Sequence, residues 1–123
     1  MESKPLVAIV DDDESAREAV AALVRSLGFT AAEFASAAAF LQSSRRAETA
    51  CLIVDMRMPG MTGLELHQHL LSGGTPVPTI VMTAHATEAA RSSALDAGVR
   101  CYLPKPLEPQ ELLACIRSAL ADE

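Results

Sequence analysis

Three aspartates, Asp11, Asp12 and Asp13, follow the apolar run Leu6-Val7-Ala8-Ile9-Val10, and a fourth, Asp55, follows Leu52-Ile53-Val54. Both runs read as short buried strands. An open parallel α/β sheet places its binding crevice at the carboxyl ends of its strands. Carboxylates gathered there repel one another, and a cation relieves the repulsion. Carboxylate oxygens suit Mg²⁺, which keeps positions open for waters and phosphate oxygens. Two more polar groups stand at later strand ends, Thr83 and Lys105. A hydroxyl and an ammonium opposite the metal would complete a cradle for a phosphoryl group. An aspartate carboxylate in that cradle could act as nucleophile and become an acyl phosphate. No GxGxxG follows the first strand and no GxxxxGK[ST] occurs, which argues against dinucleotide and P-loop nucleotide binding.

Strand-like and helix-like segments alternate along the whole chain. Strands are expected near 6–10, 30–34, 51–54, 79–82 and 100–103. A first helix over 14–27 carries Val20, Leu23, Val24 and Leu27 on one face, and Gly28 suits its C-terminal cap. Ser36 is placed to cap a helix carrying Phe40 and Leu41. Residues 45–49 are polar and read as loop. Leu64, Leu66, Leu70 and Leu71 mark a third helix ending near Gly73-Gly74, and an Ala-rich fourth helix over 87–97 ends at Gly98. Pro109 opens a fifth helix that buries Leu112, Leu113, Ile116 and Leu120. Strict alternation with right-handed crossovers predicts an α/β fold, a doubly wound five-stranded parallel sheet in a single domain over 1–123.

Half of the 123 residues are apolar, enough for a core without structural metal or disulfides. The formal charge of −6 argues against direct nucleic-acid binding, which wants a basic stripe. Cys51, Cys101 and Cys115 are odd in number and show no CxxC spacing, so they are expected to be small core hydrophobes in a reducing compartment. No apolar run approaches the roughly 20 residues of a membrane span, and no signal-peptide pattern opens the chain, so no membrane association is expected. The expected location is the cytoplasm.

Four stretches, in order, carry a family resemblance. They are Val10-Asp11-Asp12-Asp13, the run from Val54-Asp55 through Met56-Arg57-Met58-Pro59-Gly60-Met61-Thr62-Gly63, Val81-Met82-Thr83-Ala84, and Ala97-Gly98 through Tyr102-Leu103-Pro104-Lys105-Pro106. Together the chain resembles the receiver domain of two-component response regulators, most closely receivers of the nitrogen-fixation regulator type. The resemblance implies a flavodoxin-like strand order, 2-1-3-4-5. It implies Asp55 as phosphoacceptor and Asp11, Asp12, Asp55 and the backbone carbonyl of Arg57 as Mg²⁺ ligands. Lys105 would pair with phosphoryl oxygens, and Thr83 would turn inward to hydrogen-bond them. Ala84 supplies the small neighbour the pocket needs. Tyr102 would move inward together with Thr83. The Lys105–Pro106 bond is cis in that family. Arg57 and His85 occupy positions that tune the lifetime of the acyl phosphate.

The function so implied is a phosphorylation-dependent switch. It takes a phosphoryl group from a sensor histidine kinase or phosphotransfer protein and reshapes the surface of its fourth helix, fifth strand and fifth helix. It is not a conventional enzyme, although it catalyses its own phosphorylation and dephosphorylation. A covalently linked output domain and a phosphorylation-dependent homodimer are expected accompaniments. Two other readings stay open on the residues. Asp11-Asp12-Asp13 also reads as the DxD of a Mg²⁺-dependent phosphatase, with Asp11 as nucleophile and Asp13 as acid/base. A receiver-like module that no longer needs phosphate is the third. Away from the cluster, His67 and His69 are two apart and share no helix face, so both are expected in solvent. Asp13 by itself suits the N-cap of the first helix.

Overall fold

In the computed structural model, which describes residues 4–121, five parallel strands alternate with five α-helices. The strands are β1 (Leu6–Val10), β2 (Thr30–Phe34), β3 (Thr49–Asp55), β4 (Thr79–Thr83) and β5 (Cys101–Pro104). The helices are α1 (Glu14–Ser26), α2 (Ala37–Leu41), α3 (Gly63–Ser72), α4 (Glu88–Asp96) and α5 (Pro109–Ala121). The sheet order is β2-β1-β3-β4-β5, the doubly wound sheet that the alternation predicts in the flavodoxin-like order that the resemblance implies.

Alternation along the strands builds two cores. Val7, Ile9, Cys51, Ile53, Ile80 and Met82 face α1 and α5, meeting Val20, Val24, Leu112 and Ile116. Ala8, Val10, Leu52, Val54 and Val81 face the other way, onto Phe40 of α2, Leu66 and Leu70 of α3 and Ala94 of α4. Successive strand side chains point to opposite faces. Central parallel strands covered on both sides therefore read as unbroken apolar runs, as β1 does.

Local chemistry sets the helix ends. Asp13 caps α1 by accepting from the Ser15 N–H, and Gly28 follows that helix at φ +101°, a conformation a side chain would disfavour. Thr62 and Glu65 form a reciprocal capping box on α3. Residues 44–48 form a 3₁₀ turn rather than loop, and β3 starts two residues earlier than expected. The early start accompanies a register irregularity between Leu6 and Val7, where β1 meets Thr49 and then Cys51.

Two expectations fail. His67 is buried, with Nδ1 3.0 Å from the Thr79 hydroxyl and Nε2 3.0 Å from the Ala97 carbonyl. A carbonyl only accepts, so Nε2–H donates to Ala97 and ties α3 to the end of α4. The three cysteines are not all reduced. Cys101 and Cys115 are joined as a disulfide across a Cα–Cα distance of 6.3 Å, and Cys51 is the free, buried one. The link ties α5 to β5 through residues 14 apart in sequence. Burial pushes the Cys51 thiol up to about 12, which makes it inert.

Candidate functional site

The strand ends converge as expected. Asp11 stands one residue past β1, Asp55 ends β3, Thr83 ends β4, and Lys105 stands one past β5. Backbone bonds carry the ladder past the strand ends, from the Met56 N–H to Met82 and from the Lys105 N–H to Thr83, each 2.8 Å. They set the side chains of neighbouring strands against one another.

Asp11, Asp12 and Asp55 each offer a carboxylate oxygen within 4.8 Å of the others. Asp11 is fully buried, Asp55 nearly so, and Asp12 is exposed. Hard oxygen donors at that spacing, open to solvent on the Asp12 side, fit Mg²⁺ with part of its water shell retained. Lys105 Nζ donates to Asp11 Oδ2 at 3.1 Å and lies 3.5 Å from Asp55 Oδ1. The ammonium thus sits on oxygens that a cation would share.

Burial and then the neighbouring Asp11 charge hold the Asp55 carboxyl above its ordinary range, against the opposing pull of Lys105 and the Arg57 N–H. Burial would push Lys105 down, but its hydrogen bond to Asp11 and the charges of Asp11 and Asp55 outweigh that and raise it. The crevice therefore carries unrelieved negative charge around Asp55.

The other expected residues fall around this centre. Thr83 is buried, and its hydroxyl accepts from the His85 N–H at 3.1 Å. His85, Ala84 and the Arg57 side chain are exposed. Tyr102 is buried at 7% exposure among the residues facing α3 and α4, so it already holds the inward position. The Lys105–Pro106 bond is cis. Asp13 is occupied as the α1 cap. Asp11 has both oxygens engaged, Oδ1 by the Asp13 N–H and Oδ2 by Lys105. The DxD phosphatase reading needs both carboxylates for its chemistry, and here each is engaged with its surroundings. Met58 is buried, and Met56 and Met61 pack against the same core, so these methionines are filler here.

Gly63 belongs to the site although the sequence assigned it no role. A Cβ there would stand 2.6 Å from the Asp55 carbonyl oxygen and 3.1 Å from Val54 Cγ1. The first turn of α3 thus packs directly on the backbone of Asp55. Gly63→Ala is expected to lower stability by about 1–2 kcal/mol, because the clash outweighs the helix preference of alanine. Denaturant midpoints would check this; an unchanged midpoint would mean that α3 can slide away from β3.

A family model for the response regulator receiver domain matches residues 7–117. The chain belongs to the response regulator receiver family. The response regulator protein TodT of Pseudomonas putida is 38% identical over 115 residues, covering 94% of this chain and 51% of TodT. The transcriptional regulatory protein FixJ of Azorhizobium caulinodans is 37% identical over 119 residues, covering 97% of this chain and 56% of FixJ. The chain thus spans about half the length of these curated relatives. The crystal structure of FixJ-N superposes with a TM-score of 0.87 at 32% identity, covering 100% of this chain and 98% of that one. The response regulator StyR superposes with a TM-score of 0.84 at 43% identity, covering 97% of this chain and 60% of StyR. The receiver family takes part in two-component signalling and binds Mg²⁺ at an acidic cluster, for which Asp11, Asp12 and Asp55 form a candidate site.

Proposed function

We propose that this receiver accepts a phosphoryl group on Asp55 from a phosphohistidine of a sensor kinase or phosphotransfer protein, and that the whole of 1–123 acts as that one domain. The observation that carries the reading is the position of Asp55. It is a raised, nearly buried carboxylate in contact with Lys105 and within reach of two further carboxylates. An Asp55 oxygen attacks phosphorus, the bond to the donor imidazole breaks, and an acyl phosphate forms. Mg²⁺, when bound to Asp11, Asp12, Asp55 and the Arg57 carbonyl, would neutralise the gathered negative charge. Lys105 leaves the carboxylates to pair with the phosphoryl oxygens. Thr83 reorients its hydroxyl onto them, giving up the His85 N–H. The loop from Ala84 to Thr87 and then α4 repack, with Tyr102 already inside.

Phosphoryl transfer needs positioning and charge neutralisation more than covalent chemistry from the protein. The domain therefore catalyses its own phosphorylation and its own slower hydrolysis. Arg57 and His85, exposed beside the acceptor, set how easily water reaches the acyl phosphate. The altered α4–β5–α5 surface is read by an output domain like those that make the relatives longer, or by a second copy. We place the process in the cytoplasm; no described helix is long and apolar enough to cross a membrane.

The test is acetyl phosphate with and without Mg²⁺, read by intact mass, with the adduct located by borohydride reduction and peptide mapping. A single Mg²⁺-dependent adduct on Asp55 is expected. An adduct on Asp11 would restore the phosphatase reading. No adduct, together with partner binding indifferent to phosphodonor, would favour the phosphate-independent module.

A further inference from the structure

We propose that Cys101 and Cys115 are a redox-modification site, a thiol pair that closes reversibly and staples α5 onto β5. The pair joins the strand that carries Tyr102 and leads into Lys105 to the helix that follows it. β5 is four residues long and lies at the sheet edge, paired with β4 alone among the described strands. A cross-link there acts on a thinly anchored part of the sheet. The sequence separation is 14, and the Cα–Cα distance of 6.3 Å falls within the range a disulfide spans. Both residues are partly exposed, whereas Cys51 is sealed in the core. An oxidant therefore reaches the pair and not the third thiol.

Reversibility follows from compartment and rests on the cytoplasmic receiver reading above. In a reducing cytoplasm thiols are kept reduced, and disulfides that do form are mostly transient or sensing. The oxidant class is a peroxide. One thiolate attacks the O–O bond of hydrogen peroxide, giving a sulfenic acid and hydroxide. The second sulfur displaces the sulfenic oxygen, which leaves as water, and the S–S bond forms. In sum the two thiols give up two electrons and two protons, and the peroxide becomes two waters. Thiol reductants reverse the step by exchange, two glutathione thiols being oxidised to one glutathione disulfide for each pair reopened. Cys101 and Tyr102 face opposite sides of the sheet, Cys101 toward α5 and Tyr102 toward α4. The closed staple therefore leaves the acceptor site untouched and restrains how far its repacking spreads into α5.

The experiment uses the full chain, reduced and then treated with hydrogen peroxide, denatured, labelled with maleimide and weighed. The reduced chain is expected to take three labels and the oxidised chain one, at Cys51, with two hydrogens lost. Closing a loop of this length is expected to raise Tm by roughly 10 °C, and Cys115→Ser should show no such rise. A reducing glutathione buffer should restore three labels. Three labels after peroxide, an equal Tm rise in Cys115→Ser, or a pair that stays closed in reducing glutathione would each overturn the proposal. Both redox forms are then given acetyl phosphate and Mg²⁺, and hydrogen exchange in α5 is followed. The phosphorylation-dependent change in α5 should be at least about threefold smaller in the oxidised form; an equal change would remove the restraining role. A reduced chain that takes no phosphoryl group would sink the receiver reading, while the label counts would still decide the thiol pair.

Discussion

Asp55→Asn is expected to abolish phosphoryl incorporation and, in Mg²⁺-free buffer at neutral pH, to make the chain more stable than the parent. The two effects have one cause. Asp55 is held above its ordinary range by burial and by the Asp11 charge. Its charged form is therefore less comfortable in the folded chain than in the unfolded one. The asparagine keeps the shape and can still accept from the Arg57 N–H, but it removes the repulsion and the nucleophile together. A Tm rise of roughly 3–8 °C, about what 1 kcal/mol makes in a domain of this size, is the expected scale.

The pH dependence fixes the sign. A carboxyl whose folded pKa is raised contributes stability that is complete below its unfolded value near 3.8 and is lost as pH rises through the folded value. The advantage of Asp55→Asn should thus be largest near neutrality and shrink as the parent is acidified through the raised pKa. Thermal melts in chelator, from about pH 7 down to about pH 4, would measure it. A variant less stable than the parent at neutral pH, or an advantage that grows on acidification, would remove the account of Asp55 as a strained acceptor. Mg²⁺ should narrow the gap from the other side, because it stabilises the three-carboxylate cluster of the parent more than the two-carboxylate cluster of the variant.

What the sequence made legible is what lies in a line. The apolar runs of β1 and β3 end in carboxylate, and in a parallel sheet strand ends are neighbours, so Asp11, Asp55, Thr83 and Lys105 could be brought together from spacing alone. Helix caps were equally readable, since Asp13 and Ser36 act through bonds to residues two or three along. What escaped depends on contacts between elements. Helical spacing places His67 and His69 on different faces but does not say that α3 sits close enough to α4 for His67 to reach the Ala97 carbonyl. Motif rules for cysteine look for short spacings and miss a pair that joins a strand to the helix after it. Gly63 reads as an ordinary residue of a Pro-Gly loop; its role appears only when the Asp55 carbonyl is seen 2.6 Å from where a Cβ would stand. The early start of β3 hides in Thr49 and Ala50, which carry no apolar alternation. The burial of Tyr102 on the side facing α3 and α4 is likewise a contact between elements, which its place in a short strand does not announce.

Lys105→Met is expected to lower stability without Mg²⁺ and yet to tighten Mg²⁺ binding. The ammonium lies 3.1 Å from Asp11 Oδ2 and 3.5 Å from Asp55 Oδ1, and Asp11 is fully buried. Methionine fills similar volume but leaves those carboxylates facing one another unpaired. Breaking such a pair typically costs 3–5 kcal/mol; with the lysine side chain 23% exposed, about 2–3 kcal/mol is the expected loss. The sign with pH is again definite. Lys105 is raised above 10.5 by its partners, so its contribution is complete below that value and is lost as pH rises through the raised one. At the acid end the loss caused by the variant should fade as the carboxylates take up protons. For Mg²⁺ the logic inverts. In the parent a dication entering between Asp11 and Asp55 meets a positive charge already seated on their oxygens, and it must repel or displace that charge. Without Lys105 the same oxygens are unoccupied, and affinity should rise at least tenfold, about 1.4 kcal/mol. Phosphorylation should suffer despite the tighter metal, because the cation that ought to pass from carboxylate to phosphoryl oxygen is gone. Calorimetric titration with Mg²⁺ and the rate of adduct formation from acetyl phosphate separate these effects. A variant that binds Mg²⁺ no better than the parent would show that Lys105 and the metal do not compete for the cluster. A variant phosphorylated at the parent rate would show that Lys105 serves the resting carboxylates alone.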